Sequence, residues 1–390
     1  MAKNGRLLFG ASENSADMLY LTGFSAPDPF LWLEIGERRI IIVNSMEQER
    51  ARKQCKAGTE VYTPAQAAKV WKLGKAKCSY SNLVAAIARQ EKCWNWFVNN
   101  DIPYFFIDKL WNTRLASGSR NGALTGEKLC IIPNGNFTPV REHKSPQEIE
   151  HVRQSERIAE AGLYRGLQLI REAKVDKKGY LKWNGEVLTA EMLQGEVNAE
   201  IARNNGSATG TITAPGVQGA DPHLTGSGPV RGGEPIVFDI FPRSDATGYF
   251  GDLTRTVVKG KAPEIVKKAF TAVYDAQRKA IEMLKPGVAA KNVHNKASEV
   301  MASYGFKTDN KAAKPYGFIH SLGHGVGLEI HEKPSLSADS TTILQPGHIV
   351  TVEPGLYYPD WGGIRIEDTL AITEEGFDDL AVAEVSLEIE

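Results

Sequence analysis

The chain reads as two regions: an α/β region up to residue 143, then an α+β region, residues 144–390, built from two pseudo-equivalent halves. Three observations support this division. Short apolar runs of strand length dominate the first region. After residue 144 the pattern of helices followed by a strand pair occurs twice. Residue usage also changes along the chain. All four cysteines, Cys55, Cys78, Cys93 and Cys130, fall in the first third, whereas six of the eight histidines lie beyond residue 220.

In the first region, Arg6 to Gly10, Met18 to Leu21, Phe30 to Ile35 and Arg39 to Val43 read as strands, and Ser45 as the cap of a helix through Met46, Glu47, Arg50 and Ala51. Five of the seven tryptophans lie here. No cluster of His, Asp, Glu or Cys at ligand spacing accompanies them, so core packing or an interface is the expected use. In the second region, Ser145-Pro146-Gln147-Glu148 combines an N-cap serine, a proline at the first helical position and a capping-box glutamate. Further helices are expected over 189–204, 264–284 and 291–304. Between them, 235–241 pairs with 251–258, and 349–354 with 363–372.

The net charge of −1, from 46 basic and 47 acidic side chains, gives no general pull toward nucleic acid or anionic lipid. No apolar run approaches the ~20 residues needed to cross a bilayer. No signal peptide is read at the N-terminus, and the cysteines form no C-x-x-C pair. A reduced, cytoplasmic protein is therefore expected.

The chemistry is announced by acids inside strands. Asp239 interrupts Ile236-Val237-Phe238, and Asp252 opens the returning strand. Glu353 closes Ile349-Val350-Thr351-Val352, and Glu367 follows Gly363-Ile364-Arg365-Ile366. Two strand pairs thus present one acid per strand at nearly matched spacing. Buried carboxylates repel one another unless cations sit among them, which points to divalent metal. Strand alternation puts Arg365 and Glu367 on one face and Asp368 with the isoleucines, so Glu367 is the preferred ligand and Arg365 a cation behind it. Asp245 falls at a hairpin tip and should be solvated. The run His320-Ser-Leu-Gly-His324-Gly-Val-Gly-Leu-Glu-Ile-His331 is too glycine-rich for a helix. One of its histidines as a ligand and two as substrate or proton partners suits it, with the glycines allowing close approach to substrate or metal. His223 lies in a glycine-rich loop. His294 reads as helix surface and His348 as a turn.

The segments Pro222-His223, Asp239, Gly248-Tyr249-x-x-Asp252-Leu-Thr-Arg-Thr256, His320-x-x-x-His324-Gly-x-Gly-x-x-x-His331-Glu, Glu353-Pro-Gly and Arg365-Ile-Glu367-Asp together resemble the "pita-bread" metallopeptidases of family M24. Within that family the chain is similar to the Xaa-Pro group, prolidase first and aminopeptidase P next. Tyr20-Leu-Thr-Gly-Phe24 resembles part of that group's creatinase-type N-terminal domain. The resemblance implies that Asp239 binds one metal, that Asp252 and Glu367 bridge two, and that His324 and Glu353 complete the other. His223, His320 and His331 are implied to meet substrate or transition state. Beside the metals, Glu353 is expected to shuttle the proton to the leaving nitrogen, and Arg365, behind Glu367, to support the acids. Two divalent ions per chain follow. Mn2+ is favoured by the oxygen-rich donors, with Co2+, Fe2+ and Zn2+ also compatible. An Xaa-Pro peptide is the implied substrate and a homodimer the implied assembly. The stretch from Asp239 to Asp252 is two residues longer than the family pattern, with the extra length at the tip around Arg243 to Ala246. The alternatives are Xaa-Pro aminopeptidase activity on longer peptides, a metal-free creatinase-like amidinohydrolase, and a non-catalytic binding paralogue.

Overall fold

The computed structural model describes residues 3–74, 76–112 and 129–390. The chain divides into two compact units, Met1–Pro139 and Val140–Glu390.

The first unit is built on a six-stranded sheet in the order Thr59–Tyr62, Arg38–Ile42, Phe30–Ile35, Lys3–Gly10, Cys93–Val98, Cys130–Pro133. Its middle strands form an antiparallel meander, and the outer strands add in parallel. Successive side chains alternate between the two faces. Leu7 sits opposite Leu33 toward one core, and Leu8 opposite Trp32 toward the other. Trp32 and Trp96 are fully buried, while Trp111 is exposed.

Two expectations fail in this unit. Met18 to Leu21 belongs to a helix, Ala16–Thr22, not to a strand. The Ser15 hydroxyl accepts from the Met18 amide, and Gly23 ends the helix at φ +67°, so caps at both ends override a four-residue apolar run. Ser45 caps nothing. The Asn44 side chain accepts from the Met46 and Glu47 amides in a local turn, and the helix begins at Gln48.

In the second unit the long helix Pro146–Glu172 starts at the expected capping box, with Ser145 and Glu148 satisfying each other's amides. With Ala190–Arg203 it covers a sheet ordered Ile212–Pro215, Pro235–Ile240, Leu253–Lys259, Glu388–Ile389. Leu163, Ile170, Val197 and Phe238 fill the space between. Full burial of a side chain such as Phe238 contributes about 2 kcal/mol. A Cβ at Gly166 would stand 2.7 Å from the Phe238 ring, so glycine sets how closely this helix approaches the sheet. The second half repeats the plan. Glu264–Ile281 and Ala290–Ser303 pack over the strands Ile349–Val352 and Asp368–Ile372, around Ala269, Val273, Val293, Val350 and Leu370.

The second strand pair is not the continuous hairpin expected. Ile349–Val352 pairs with Asp368–Ile372, and Gly355–Tyr358 pairs separately with Gly362–Arg365. The ladder breaks at Pro354, which has no N–H to donate. The neighbouring amides turn elsewhere: Glu353 donates to the Leu322 carbonyl at 2.8 Å and Glu367 to that of Thr254 at 3.0 Å.

Candidate active site

A cleft of about 480 Å³ in the second unit is lined by all nine residues singled out above: His223, Asp239, Asp252, His320, His324, His331, Glu353, Arg365 and Glu367. Ile212, Phe241 and Ile330 add an apolar wall. The four acids arrive from the two strand systems. Asp239 projects from within a ladder, opposite Thr254. Asp252 precedes its strand by one residue, and Glu353 and Glu367 occupy the two breaks of the second pair.

Asp252, His324 and Glu367 each offer a ligand atom, and these atoms lie within 4.8 Å of one another. The His324 Nε2 atom is 3.5 Å from Asp252 Oδ2 and 3.3 Å from Glu353 Oε1. Its Nδ1 lies 3.2 Å from the Gly325 carbonyl, which assigns the ring proton there and leaves Nε2 with a lone pair toward the acids. Arg365 Nη2 donates to Asp239 Oδ2 at 2.5 Å, and the Thr254 hydroxyl donates to Glu367 Oε2 at 2.6 Å.

Electrostatics follows from crowding. Burial first, and then Glu367, pushes the Asp252 and Glu353 carboxyls well above the usual range. Burial and Asp239 push Glu367 up to about 8. Burial would lower the Arg365 guanidinium, but Tyr357 and the surrounding carboxylates outweigh it and hold the charge. Burial pushes His324 down to about 4 and also lowers His331, whose ring meets that of His324 edge-on at 4.2 Å. Four carboxyl groups thus crowd together, Asp239 paired with the Arg365 guanidinium and an imidazole lone pair pointing at Asp252 and Glu353. This oxygen-rich, charge-excess donor set fits divalent cations.

The acids rejected from the sequence lie elsewhere. Asp368 is buried among Arg255, Arg278 and Gln277, at 2.7, 2.6 and 3.1 Å. Asp245 is exposed and accepts from the Ser207 hydroxyl. Two glycines of the histidine loop also pack tightly on neighbouring backbone. A Cβ at Gly323 would stand 2.0 Å from the Thr351 carbonyl, and one at Gly325 2.4 Å from that of Lys333. His294 is not a surface residue. It is half-buried, stacks on Phe318 at 5.2 Å and accepts from the Leu322 amide. His348, expected in a turn, is 2 % exposed just after one, and accepts from the Gln345 amide.

Three contributors were not foreseen. The Tyr357 hydroxyl lies 2.9 Å from His320 Nε2 and accepts from Arg365 at 2.8 Å. His320 Nδ1 sits 2.6 Å from the Ser321 carbonyl and therefore carries the ring proton, so Nε2 accepts from Tyr357. Burial pushes His320 down to about 3, consistent with a neutral ring. Both its nitrogens are engaged by protein, and it anchors Tyr357 and Arg365. Thr254 holds Glu367 as described. Glu156, on the long helix, is fully buried behind Asp252, where burial raises its carboxyl well above the usual range. The spacing of Val152, Glu156, Ala159 and Leu163 places that acid on the apolar stripe, a signal present in the sequence.

The model of metallopeptidase family M24 matches residues 150–374, which contain the whole donor set. The chain belongs to metallopeptidase family M24. Membership implies divalent metal ions. An Xaa-Pro dipeptidase of Pyrococcus furiosus is 37 % identical over 236 residues, covering 60 % of this chain and 61 % of that protein. The matches to this relative and to its Pyrococcus horikoshii counterpart, at 60 %, span less than two thirds of those proteins' length. A prolidase structure from Pyrococcus horikoshii OT3 matches 99 % of this chain and 95 % of its own, with a TM-score of 0.76 and 27 % identity. An X-Pro aminopeptidase from Thermotoga maritima MSB8 matches 100 % and 98 %, with a TM-score of 0.80 and 23 % identity, a likeness of fold. The second unit has the pita-bread fold expected of the family, preceded by the α/β unit. Among the described residues no helix is long and apolar enough to cross a membrane.

Proposed function

We propose that this chain is a dinuclear-metal-dependent Xaa-Pro dipeptidase. The observation that carries the reading is the convergence of Asp239, Asp252, His324, Glu353 and Glu367 in one cleft of a metallopeptidase fold. These five residues would hold two divalent ions, Mn2+ first among them. Bound there, such ions supply Lewis acidity toward the scissile carbonyl and activate water near neutral pH.

The chain's own residues do the rest. Arg365 fixes the Asp239 carboxylate, and Tyr357 fixes Arg365. Glu353 takes up a proton at its carboxylate and returns it to the departing proline nitrogen, a role suited to a carboxyl that burial makes more basic. His223 and His331 face the cleft and donate toward the developing oxyanion, which is typically worth a few kcal/mol. His320 acts through Tyr357. Ile212, Phe241 and Ile330 offer apolar contact to a proline ring, whose nitrogen has no N–H to grip.

Two further considerations support a dipeptidase over an aminopeptidase or a metal-free relative. The connection between Glu353 and Glu367 is short, with residues 359–361 joining Gly355–Tyr358 to Gly362–Arg365, and resembles microbial prolidases more than aminopeptidase P with its longer insert. The complete donor set argues against a creatinase-like amidinohydrolase and against a non-catalytic paralogue. A homodimer and a cytoplasmic setting complete the proposal, and light scattering checks the first. Hydrolysis of Ala-Pro, Ala-Pro-Ala and Ala-Ala, with and without added Mn2+, tests the function. Mn2+-dependent cleavage of Ala-Pro alone is expected. Cleavage of the first bond of Ala-Pro-Ala would make it an aminopeptidase, and preference for Ala-Ala would overturn the proline assignment.

A further inference from the structure

We infer that Glu156 is a positioning residue that sets the backbone of Asp252, and through it the affinity of the metal centre. The inference rests on the reading of Asp252 as a ligand. The four cleft acids differ in how their amides are held. Asp239 lies within a ladder. The amides of Glu353 and Glu367 donate to the Leu322 and Thr254 carbonyls. The ladder containing Leu253 begins one residue too late to hold Asp252, whose amide donates at 2.8 Å to Glu156 Oε1. The Asp252 carbonyl accepts from the Thr369 hydroxyl at 2.9 Å. Both backbone polar groups of this ligand are therefore pinned by side chains.

The surrounding chain is built for that contact. A Cβ at Gly251 would stand 2.5 Å from the Ser155 carbonyl and 2.7 Å from the Glu156 amide nitrogen, so only glycine lets the segment lie on the helix here. One turn of helix supplies a second tie, because the Ser155 hydroxyl donates to the Tyr249 carbonyl at 3.0 Å. Glu156 itself is 0 % exposed on an otherwise apolar stripe with Val152, Ala159 and Leu163. An acid there is unfavourable as packing, and an apolar residue of the same size would be tolerated more readily. What the carboxyl adds is an acceptor for an amide that would otherwise be buried without one.

The test is Mn2+ titration calorimetry on chelator-stripped full-length protein, with thermal midpoints measured alongside. Glu156→Met should weaken Mn2+ binding about ten- to a hundredfold, the range typical of lost outer support to a metal ligand. A cooperative thermal transition of the stripped variant confirms that it folds. Glu156→Gln keeps an acceptor oxygen for the Asp252 amide and should restore most of the affinity. Should the methionine variant fail to fold, Thr369→Val carries the test, since it frees the other backbone polar group of the same residue and should also weaken Mn2+. Wild-type affinity in Glu156→Met or in Thr369→Val, or a glutamine variant as weak as the methionine one, overturns the inference. A wild-type protein that takes up no Mn2+ under any loading overturns the metal reading itself, and the inference with it.

Discussion

In the first strand pair, Pro235–Ile240 and Leu253–Lys259 run as one uninterrupted ladder, and Asp239 enters the cleft because the pleat turns every second side chain that way. In the second, the ladder breaks twice, and Glu353 and Glu367 sit in the breaks with their amides bonded to the histidine loop and to the first strand pair. The two halves solve one problem differently. An acid inside a ladder is oriented for nothing extra but needs a cation, which Arg365 brings across from the other half. Acids at ladder breaks stitch three segments together at the point where charge is densest. Both pairs supply cross-links between the halves: Arg365 reaches Asp239, and Arg255, Thr254 and Thr256 of the first pair reach Asp368, Glu367 and Arg365 of the second.

The largest expected effect removes an acid. Asp252→Ala should lower kcat/KM by about a thousandfold or more, matching loss of several kcal/mol of stabilisation at the metal centre. Asp245→Ala, at the exposed tip of the first pair, should stay within about twofold, as surface changes do. Equal losses would mean that the wrong acid of the first pair has been chosen.

Next is the cross-link. Tyr357→Phe leaves a buried guanidinium nitrogen and His320 Nε2 without their partner, a loss of about 1–3 kcal/mol. Expressed in turnover, this is about ten- to a hundredfold, at nearly unchanged substrate KM. A wild-type rate in this variant would count against the support that Tyr357 gives Arg365, the residue that reaches across to Asp239. Thr254→Val removes the hydroxyl donor to Glu367 and should cost Mn2+ affinity rather than fold, which titration calorimetry would show. Unchanged affinity would count against the tie between first strand pair and second.

The smallest effect lies at the root of the second pair. Burial, with His143 and Lys144, holds His348 down at about 4. An unfolded histidine titrates near 6.5, so the unfolded chain binds more protons between these values. Stability is thus kept above the unfolded value and lost as pH falls from 6.5 through 4. His348→Gln should flatten the fall in thermal midpoint between pH 6.5 and 5. An unaltered slope would place the acid sensitivity elsewhere.

Much of this was legible in the chain because acids in apolar strands are conspicuous. Asp239 and Glu367 stand out against isoleucine, valine and phenylalanine, and the pleat separates Glu367 from Asp368 without coordinates. The capping box at Ser145 and the strand at Phe30 are equally local signals. What escaped depends on partners distant in sequence. His294 looks like a surface residue until the fold brings the Leu322 amide to its ring. Tyr357 looks like an ordinary strand aromatic until Arg365 and His320 close around it. The ladder breaks were invisible because the amides of Glu353 and Glu367 find carbonyls 31 and 113 residues away. Glu156 could have been found, since an acid on the buried stripe of an amphipathic helix is as anomalous as one in a strand. Met18 to Leu21 failed for the opposite reason: a short apolar run carries no period of its own, and the caps decide.

The central claim is that four acids and His324 form one centre for two ions, and metal content measured by elemental analysis tests it most directly. Wild-type protein reconstituted with Mn2+ should approach two ions per chain, with Ala-Pro hydrolysis rising in step, while His324→Ala should lose metal and His331→Ala largely retain it. A wild-type protein that stays metal-free under every loading condition, or one whose metal is stripped by His331→Ala and kept by His324→Ala, would contradict the account.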